Sequence, residues 1–261
     1  INRRQNTFIP KPNDVFREGD LVYVITKPHA IKELMQLSGR TRVSINNVMI
    51  VGGGRIGKQT AKLLENDLNI KIFEMDKSRS LELTNSLTNT LVVNADARNV
   101  DLLEDEGIKD MDAFIAVTDN TETNILTCLQ AKSFGVKRTI ALVENIDYID
   151  ISQNIGIDTI INKKLIAASY MVRYTLGGNV SALKCLSGID ADIVEFVVRD
   201  GAEVTERPIN RLNLPEGAII GGIIRGEDSY IATGNFQIQA EDRVIVLVLP
   251  KTIQKVEKLF R

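Results

Sequence analysis

From Asn46 to about Asn162 the chain alternates short β-branched runs with helix-length amphipathic stretches. The runs cover residues 48–51, 70–73, 90–93, 113–117, 139–143 and 159–161, and they predict six strands. The first reads Val-Met-Ile-Val with no polar alternation, which implies burial on both faces and helices on both sides of the sheet. Helices are predicted to begin near Arg55, Lys77, Asn99, Thr121 and Asp147. Six strands joined by five crossovers make an α/β fold with a doubly wound parallel sheet. A further helix is expected over residues 163–176, followed by a smaller β-rich segment.

The glycines fit a Rossmann-type sheet. Gly52-x-Gly54-x-x-Gly57 directly follows the first strand and opens the first helix. In that context Gly52 permits the tight turn, Gly54 lets the backbone approach a pyrophosphate, and Gly57 lets helix and strand pack closely. The helix start offers free N–H groups and its positive end to the phosphates. Glu74 ends the second strand 22 positions after Gly52, where a carboxylate accepts ribose hydroxyls; the alternative is a strand-end surface charge. A carboxylate there disfavours a 2′-phosphate, which Lys77 and Arg79 would offset if they are more than helix-surface charges. Asp96, after the third strand, either reaches the adenine end or caps a short helix. Thr118 lies across the switch point from the glycine loop, and the run from Thr118 to Asn124 either touches the nucleotide or caps the next helix.

Acid–base machinery beside such a site is missing from the pattern. The one histidine, His29, lies outside the sheet segment, and Tyr23-x-x-x-Lys27 sits on a predicted strand near the start of the chain. Neither a nucleophile–base pair nor a metal-ligand spacing stands out. A bound dinucleotide without chemistry points to sensing; an NAD-dependent oxidoreductase with its substrate site in the C-terminal segment is the competing reading.

Composition narrows the classes. A net charge of −2 over 261 residues gives no field for nucleic acid or anionic lipid. No apolar run approaches the roughly 18 residues that cross a bilayer, so a membrane role has to pass through a partner. Cys128 and Cys185 are far apart in sequence and read as reduced, cytoplasmic thiols.

The two ends of the chain resemble each other at an offset of 222: Asp20 meets Asp242, Val22 and Val24 meet Val244 and Val246, Pro28 meets Pro250 and Ile31 meets Ile253. Each reads as a turn, a strand (residues 21–25 and 243–249), a proline stop and an amphipathic helix. With Ile1 in place of an initiator Met, the repeat makes residues 1–43 the expected last part of an earlier copy of the C-terminal domain. The expected division is then 1–43, the sheet domain 44–162, a crossover helix and linker 163–179, and the C-terminal domain 180–261.

The run from Asn47 to Gly57, the strand end Glu74-Met75-Asp76, Ala95-Asp96, the stretch from Leu102 to Ile108, and Thr118 with Glu122 and Asn124 resemble the RCK (KTN) domain. Residues Leu214-Pro215 to Ala218, Ile223 to Gly226 and Glu241 to Ile245 are similar to its companion, the α+β RCK-C domain. The repeat looks like the tandem arrangement of TrkA-type regulators of Trk potassium uptake. The resemblance implies a non-enzymatic regulatory subunit, peripheral to the inner face of the membrane. It further implies a homo-oligomer, dimer or tetrameric ring, beneath a potassium-translocating membrane subunit, gated by NAD(H) or, at the same site, by ATP or ADP. An RCK module serving another transporter or channel is the remaining possibility. The residues expected at the nucleotide are Gly52, Gly54, Arg55, Ile56, Gly57, Glu74, Met75, Asp96, Ala97, Thr118, Asn120 and Asn124. Two positions depart from the family: Ala95 replaces its usual Gly and Asn162 a frequent Pro. Apolar stripes at helical spacing, Ile125, Leu126 and Leu129 and then Leu165, Ala168, Met171 and Val172, are candidates for oligomer contacts or for the monomer core.

Overall fold

The computed structural model describes residues 1–3, 6–39, 44–175, 180–186 and 191–261. Residues 41–164 form one compact unit, and residues 165–261 together with 1–40 form a second. The chain opens with β1 (Asn2–Arg3) paired to β2 (Asn6–Thr7) and continues to a short helix, α1 (Ile31–Leu37).

The sheet unit follows in strict alternation. Its elements are β3 (Asn47–Val51), α2 (Arg55–Leu64), β4 (Asn69–Glu74), α3 (Lys77–Ser86), β5 (Thr90–Asn94), α4 (Val100–Asp105), β6 (Ala113–Ala116), α5 (Thr121–Ser133), β7 (Arg138–Leu142), α6 (Tyr148–Asn154) and β8 (Thr159–Ile161). The six strands are parallel in the order β5-β4-β3-β6-β7-β8, the doubly wound arrangement with its switch point between β3 and β6. Period-two geometry divides each buried strand between two cores. Met49 and Val51 join Phe73, Phe114 and Leu103 on one face, while Val48 and Ile50 join Ile70, Ile72 and Leu83 on the other. Asp76, Asn99 and Asn120 cap α3, α4 and α5, each accepting a backbone N–H of the first turn.

In the second unit α7 (Lys163–Thr175) leads to β9 (Val180–Cys185), β10 (Asp192–Val197), β11 (Ala218–Arg225), β12 (Asp228–Ile231), β13 (Arg243–Val248) and α8 (Ile253–Leu259). The expected helix end at Leu176 lies outside the described residues. These strands form an antiparallel sheet in the order β12-β11-β13-β10-β9. One face, with Val194, Phe196, Val244 and Val246, packs on Val256 and Phe260 of the C-terminal helical segment, and the Phe196 and Phe260 rings stack at 4.6 Å.

The strand expected over residues 21–25 reduces to a single bridge between Leu21 and Asn2. Its counterpart β13 is a full strand because β11 and β10 flank it, whereas Leu21 meets only the short β1. The apolar stripes also separate. Ile125 and Leu129 pack on the sheet core, whereas Leu126, Leu165, Ala168 and Met171 are exposed; the Val172 side chain lies outside the described residues.

Candidate functional site

Three of the four loop glycines are demanded by the protein itself. Gly52 has φ +103°, and a Cβ there would lie 2.8 Å from the Thr118 amide nitrogen, so the left-handed turn and the close approach of β6 both need glycine. A Cβ on Gly57 would collide with the Gly52 carbonyl oxygen, which holds α2 tight against the turn. Gly53, which the spacing rule ignores, is equally constrained: its Cβ would run into Leu83 Cδ1 and come within 2.9 Å of Glu74 Oε2.

Gly54 differs. Its φ of −64° and ψ of −173° suit any residue, and an added Cβ would meet nothing within 4 Å. It is the N-cap of α2 without a capping side chain, and it faces a cavity of about 420 Å³. That open cradle before a helix N-terminus fits a phosphate-bearing ligand brought close to the backbone.

Glu74 closes the other end. Its buried carboxylate accepts the Gly53 amide on Oε2 at 2.9 Å and the Asp76 amide on Oε1 at 2.8 Å, and Arg79 Nη1 lies 3.3 Å from Oε2. A carboxylate offers about four acceptor positions, so Oε1 keeps one for a further donor and withdrawal of Arg79 opens a second. Asp96 is gripped by Arg98, whose Nε and Nη2 donate to its two oxygens at 3.0 and 2.7 Å. Those bonds hold its carboxyl below the usual range. Ser78 and the Arg79 amide do the same for Asp76.

Gly52, Gly54, Glu74, Met75, Asp96, Ala97, Thr118 and Asn120 all line this cavity, together with Arg79, Ala95 and Arg98. Arg55, Ile56 and Gly57 lie on α2, outside its lining. Asn124 is buried and committed elsewhere. Its Oδ1 accepts the Thr118 amide and hydroxyl at 2.9 and 2.6 Å, and its Nδ2 donates to the Thr118 and Leu142 carbonyls at 3.0 and 2.9 Å. It ties the end of β6 to β7 and sets the Thr118 turn. Arg98 escaped the sequence reading; its signal is an arginine two residues after the strand-end Asp96. Asn162, in place of the expected proline, donates to the Val143 and Glu144 carbonyls at 2.7 and 3.2 Å and so anchors the start of α7 to β7.

A second cavity of about 560 Å³ opens beside the first and shares Asp119 and Asn120 with it. Glu144, Asn145 and Tyr148, from the end of β7 and the start of α6, line it together with Lys164. The first cavity straddles the switch point between β3 and β6, where ligands bind in this topology, and the second lies beyond the ends of β6 and β7. Among the described residues there is no group of three metal-ligating side chains, and no helix is long and apolar enough to cross a membrane.

Comparison with known proteins places this architecture. The TrkA-N domain family profile matches residues 48–163, and the TrkA-C domain profile matches residues 193–261. The Trk system potassium uptake protein TrkA homolog 2 of Methanosarcina mazei is 34% identical over all of this chain and 59% of its own length. The Trk system potassium uptake protein TrkA of Halomonas elongata is 31% identical over all of this chain and 58% of its own. The chain thus spans about three-fifths of the curated relatives it matches. Among solved structures, a GsuK channel bound to NAD superposes with a TM-score of 0.56 at 15% identity, covering 88% of this chain and 43% of that one. The GsuK RCK domain gives 0.54 at 15% identity, covering 87% and 52%; both show the shared fold. Residues 48–163 thus belong to the TrkA-N domain family and residues 193–261 to the TrkA-C domain family.

Proposed function

We propose that the chain is the NAD(H)-sensing part of a regulatory subunit that gates a potassium-translocating membrane protein. The observation that carries the reading is Gly54: a glycine that neither backbone geometry nor any neighbour requires, open to a cavity that ends at Glu74. A pyrophosphate would sit against the Gly54–Gly57 turn and the N–H groups of α2, with Glu74 and Met75 at the adenosine ribose and Asp96 and Ala97 at the adenine. Thr118 and Asn120 face it from β6, and the second cavity gives the other nucleoside room. ATP and ADP would use the first cavity alone.

The site binds and does not turn over its ligand. Its carboxylates are held by neighbours, Glu74 by Gly53, Asp76 and Arg79 and Asp96 by Arg98, which suits holding a ligand rather than transferring protons. Potassium transport as the setting rests on the relatives' name, Trk system potassium uptake protein. In this reading the chain works at the inner face of the membrane through its partner, as a dimer or tetrameric ring, and exposed Leu126, Leu165 and Met171 are available for subunit contacts. The nucleotide shifts the ring only if it binds one state of the ring better than the other.

Calorimetry with NADH, NAD, AMP, ATP and ADP tests the site. Binding is expected for the unaltered chain and loss of binding for Gly54→Val. Retention of the detergent-solubilised transporter by the full-length protein, with and without each nucleotide, tests the gating role. Equal retention under every condition refutes regulation by nucleotide, and consumption of NADH with any added substrate refutes the non-enzymatic reading.

A further inference from the structure

Two arginine–carboxylate pairs line the first cavity, and they differ in what else holds them. Glu74 is buried and accepts two backbone amides besides Arg79, so it is part of the glycine loop. The Asp96 and Arg98 side chains are 39% and 64% exposed. The Arg98 amide donates to Asp96 Oδ1 at 2.9 Å, Nε donates to both oxygens at 3.0 and 3.1 Å, and Nη2 donates to Oδ2 at 2.7 Å. Among the described residues neither side chain has a partner outside the pair. An exposed pair of this kind adds little to stability, so the fold alone gives no reason for it.

Its surroundings suit a flat ring. Ala95 and Ala97 pack on the core of the sheet unit and show the cavity nothing larger than a methyl group. At the neighbouring strand end Met75, 66% exposed, lines the same cavity, and Asn94 Nδ2 donates to its carbonyl at 3.1 Å. Small and polarisable apolar atoms thus flank a charged donor and a charged acceptor. The pair also keeps bonding capacity. Of the guanidinium N–H donors, Asp96 takes Nε and one on Nη2; both on Nη1 and the second on Nη2 have no partner among the described residues. Nε shares its single proton between the two oxygens, so Oδ2, with Nη2 as its one full donor, has room for another. A free donor on Arg98 therefore stands beside a free acceptor on Asp96. Adenine carries the complement on one edge, an amino group next to a ring nitrogen. Hypoxanthine has a carbonyl oxygen in place of that amine and would set it against the carboxylate.

We propose that Arg98 reads the base of the bound nucleotide: without leaving Asp96, its guanidinium donates to N1 or N7 of adenine while Asp96 accepts from the exocyclic amine. The inference rests on the reading of the first cavity as an adenosine site. In that site the ribose at Glu74 fixes the ring, so sliding the base cannot exchange the order of donor and acceptor. Both bonds are charge-assisted, one through the guanidinium and one through the carboxylate.

Calorimetry on the full-length protein with ADP, IDP, 1-deaza-ADP and 7-deaza-ADP is the test. Replacing one ring nitrogen by carbon deletes the acceptor for Arg98 and keeps the amine for Asp96. IDP and one of the two deaza ligands are expected to bind about ten-fold or more weakly than ADP, the loss typical of a hydrogen bond to a charged group. Arg98→Ala should weaken ADP by a similar factor and erase the deaza penalty, with an unchanged melting temperature. Full affinity for both deaza ligands overturns the proposal. So does an Arg98→Ala variant in which ADP, IDP and the deaza ligands weaken alike, because the arginine would then only hold Asp96. A loss in Arg98→Ala that grows from AMP through ADP to ATP puts the arginine at the phosphates and overturns it as well. In all three cases ADP still binds the unaltered protein and the nucleotide reading stands. If the unaltered protein binds none of ADP, ATP, NAD and NADH, that reading falls and the proposal falls with it.

Discussion

The Gly53 amide donates to Oε2 of Glu74 across 2.9 Å, so the glycine loop itself orients a carboxylate that lines the cavity. Adjacent glycines therefore separate two roles. Gly53→Ala pushes its methyl into Leu83 and Glu74, with an expected loss of about 1–3 kcal/mol in stability, the usual range for overpacking, and weaker nucleotide binding. Gly54→Ala fills only open space at an allowed φ, so its melting temperature should hold or rise slightly. Its nucleotide affinity should drop at least ten-fold because the methyl enters the cradle. Thermal melts with calorimetry distinguish them, and native-like affinity in Gly54→Ala would remove the cradle.

Asn124→Ala should behave as a fold mutation. It strips partners from the Thr118 amide and from the Thr118 and Leu142 carbonyls in a buried setting. The expected cost is roughly 2–4 kcal/mol, from about 1–3 kcal/mol for each buried polar group left unsatisfied. Urea unfolding measures it. A loss below half a kilocalorie would return Asn124 to the list of ligand contacts.

The sheet could be read from sequence because strands buried on both faces must be apolar without interruption, and Val48 to Val51 shows that directly. Glu74 was found by its distance from Gly52. The roles of Gly53 and Arg98 were hidden, since each depends on a side chain, Leu83 or Asp96, brought close by another element. Asn124 was placed with the ligand contacts because a polar residue near the switch point gives no sign of whether it faces the cavity or β7. Residues 21–25 alternate as a strand does, but a ladder also needs a neighbouring strand, and among the described residues Leu21 bridges only to Asn2.

Acid should act through Asp112. The amides of Asn46 and Asn47 and the Lys137 ammonium hold its carboxyl at about 2, below the ordinary 3.8. A depressed folded value means that the stabilisation is fully present above the unfolded value and is lost as pH falls through the folded one. Asp112→Asn should therefore lower the urea midpoint at pH 7. The gap from the parent should close between about pH 4 and pH 2. A gap that persists below pH 2 would show that the variant fails for another reason.

Glu74 and Arg79 together should decide between NADH and NADPH. In the proposed binding mode the carboxylate would accept a ribose hydroxyl and repel a 2′-phosphate, while Arg79, 3.3 Å away, is the cation placed to soften that repulsion. The unaltered chain is expected to prefer NADH. Arg79→Ala removes the cation and frees an acceptor position on Oε2, so NADH binding should hold or tighten while NADPH binding weakens further. Glu74→Gln should cost NADH about 1.5–3 kcal/mol, the range for a hydrogen bond to a charged group, or some ten- to hundred-fold in affinity. NADPH should lose less, because the repulsion disappears with the charge, and the ratio of the two affinities should shrink. Titration followed by the fluorescence of the reduced nicotinamide reads both ligands on each variant. If Glu74→Gln leaves that ratio unchanged, Glu74 does not face the ribose, and the adenosine end of the ligand must lie elsewhere in the cavity.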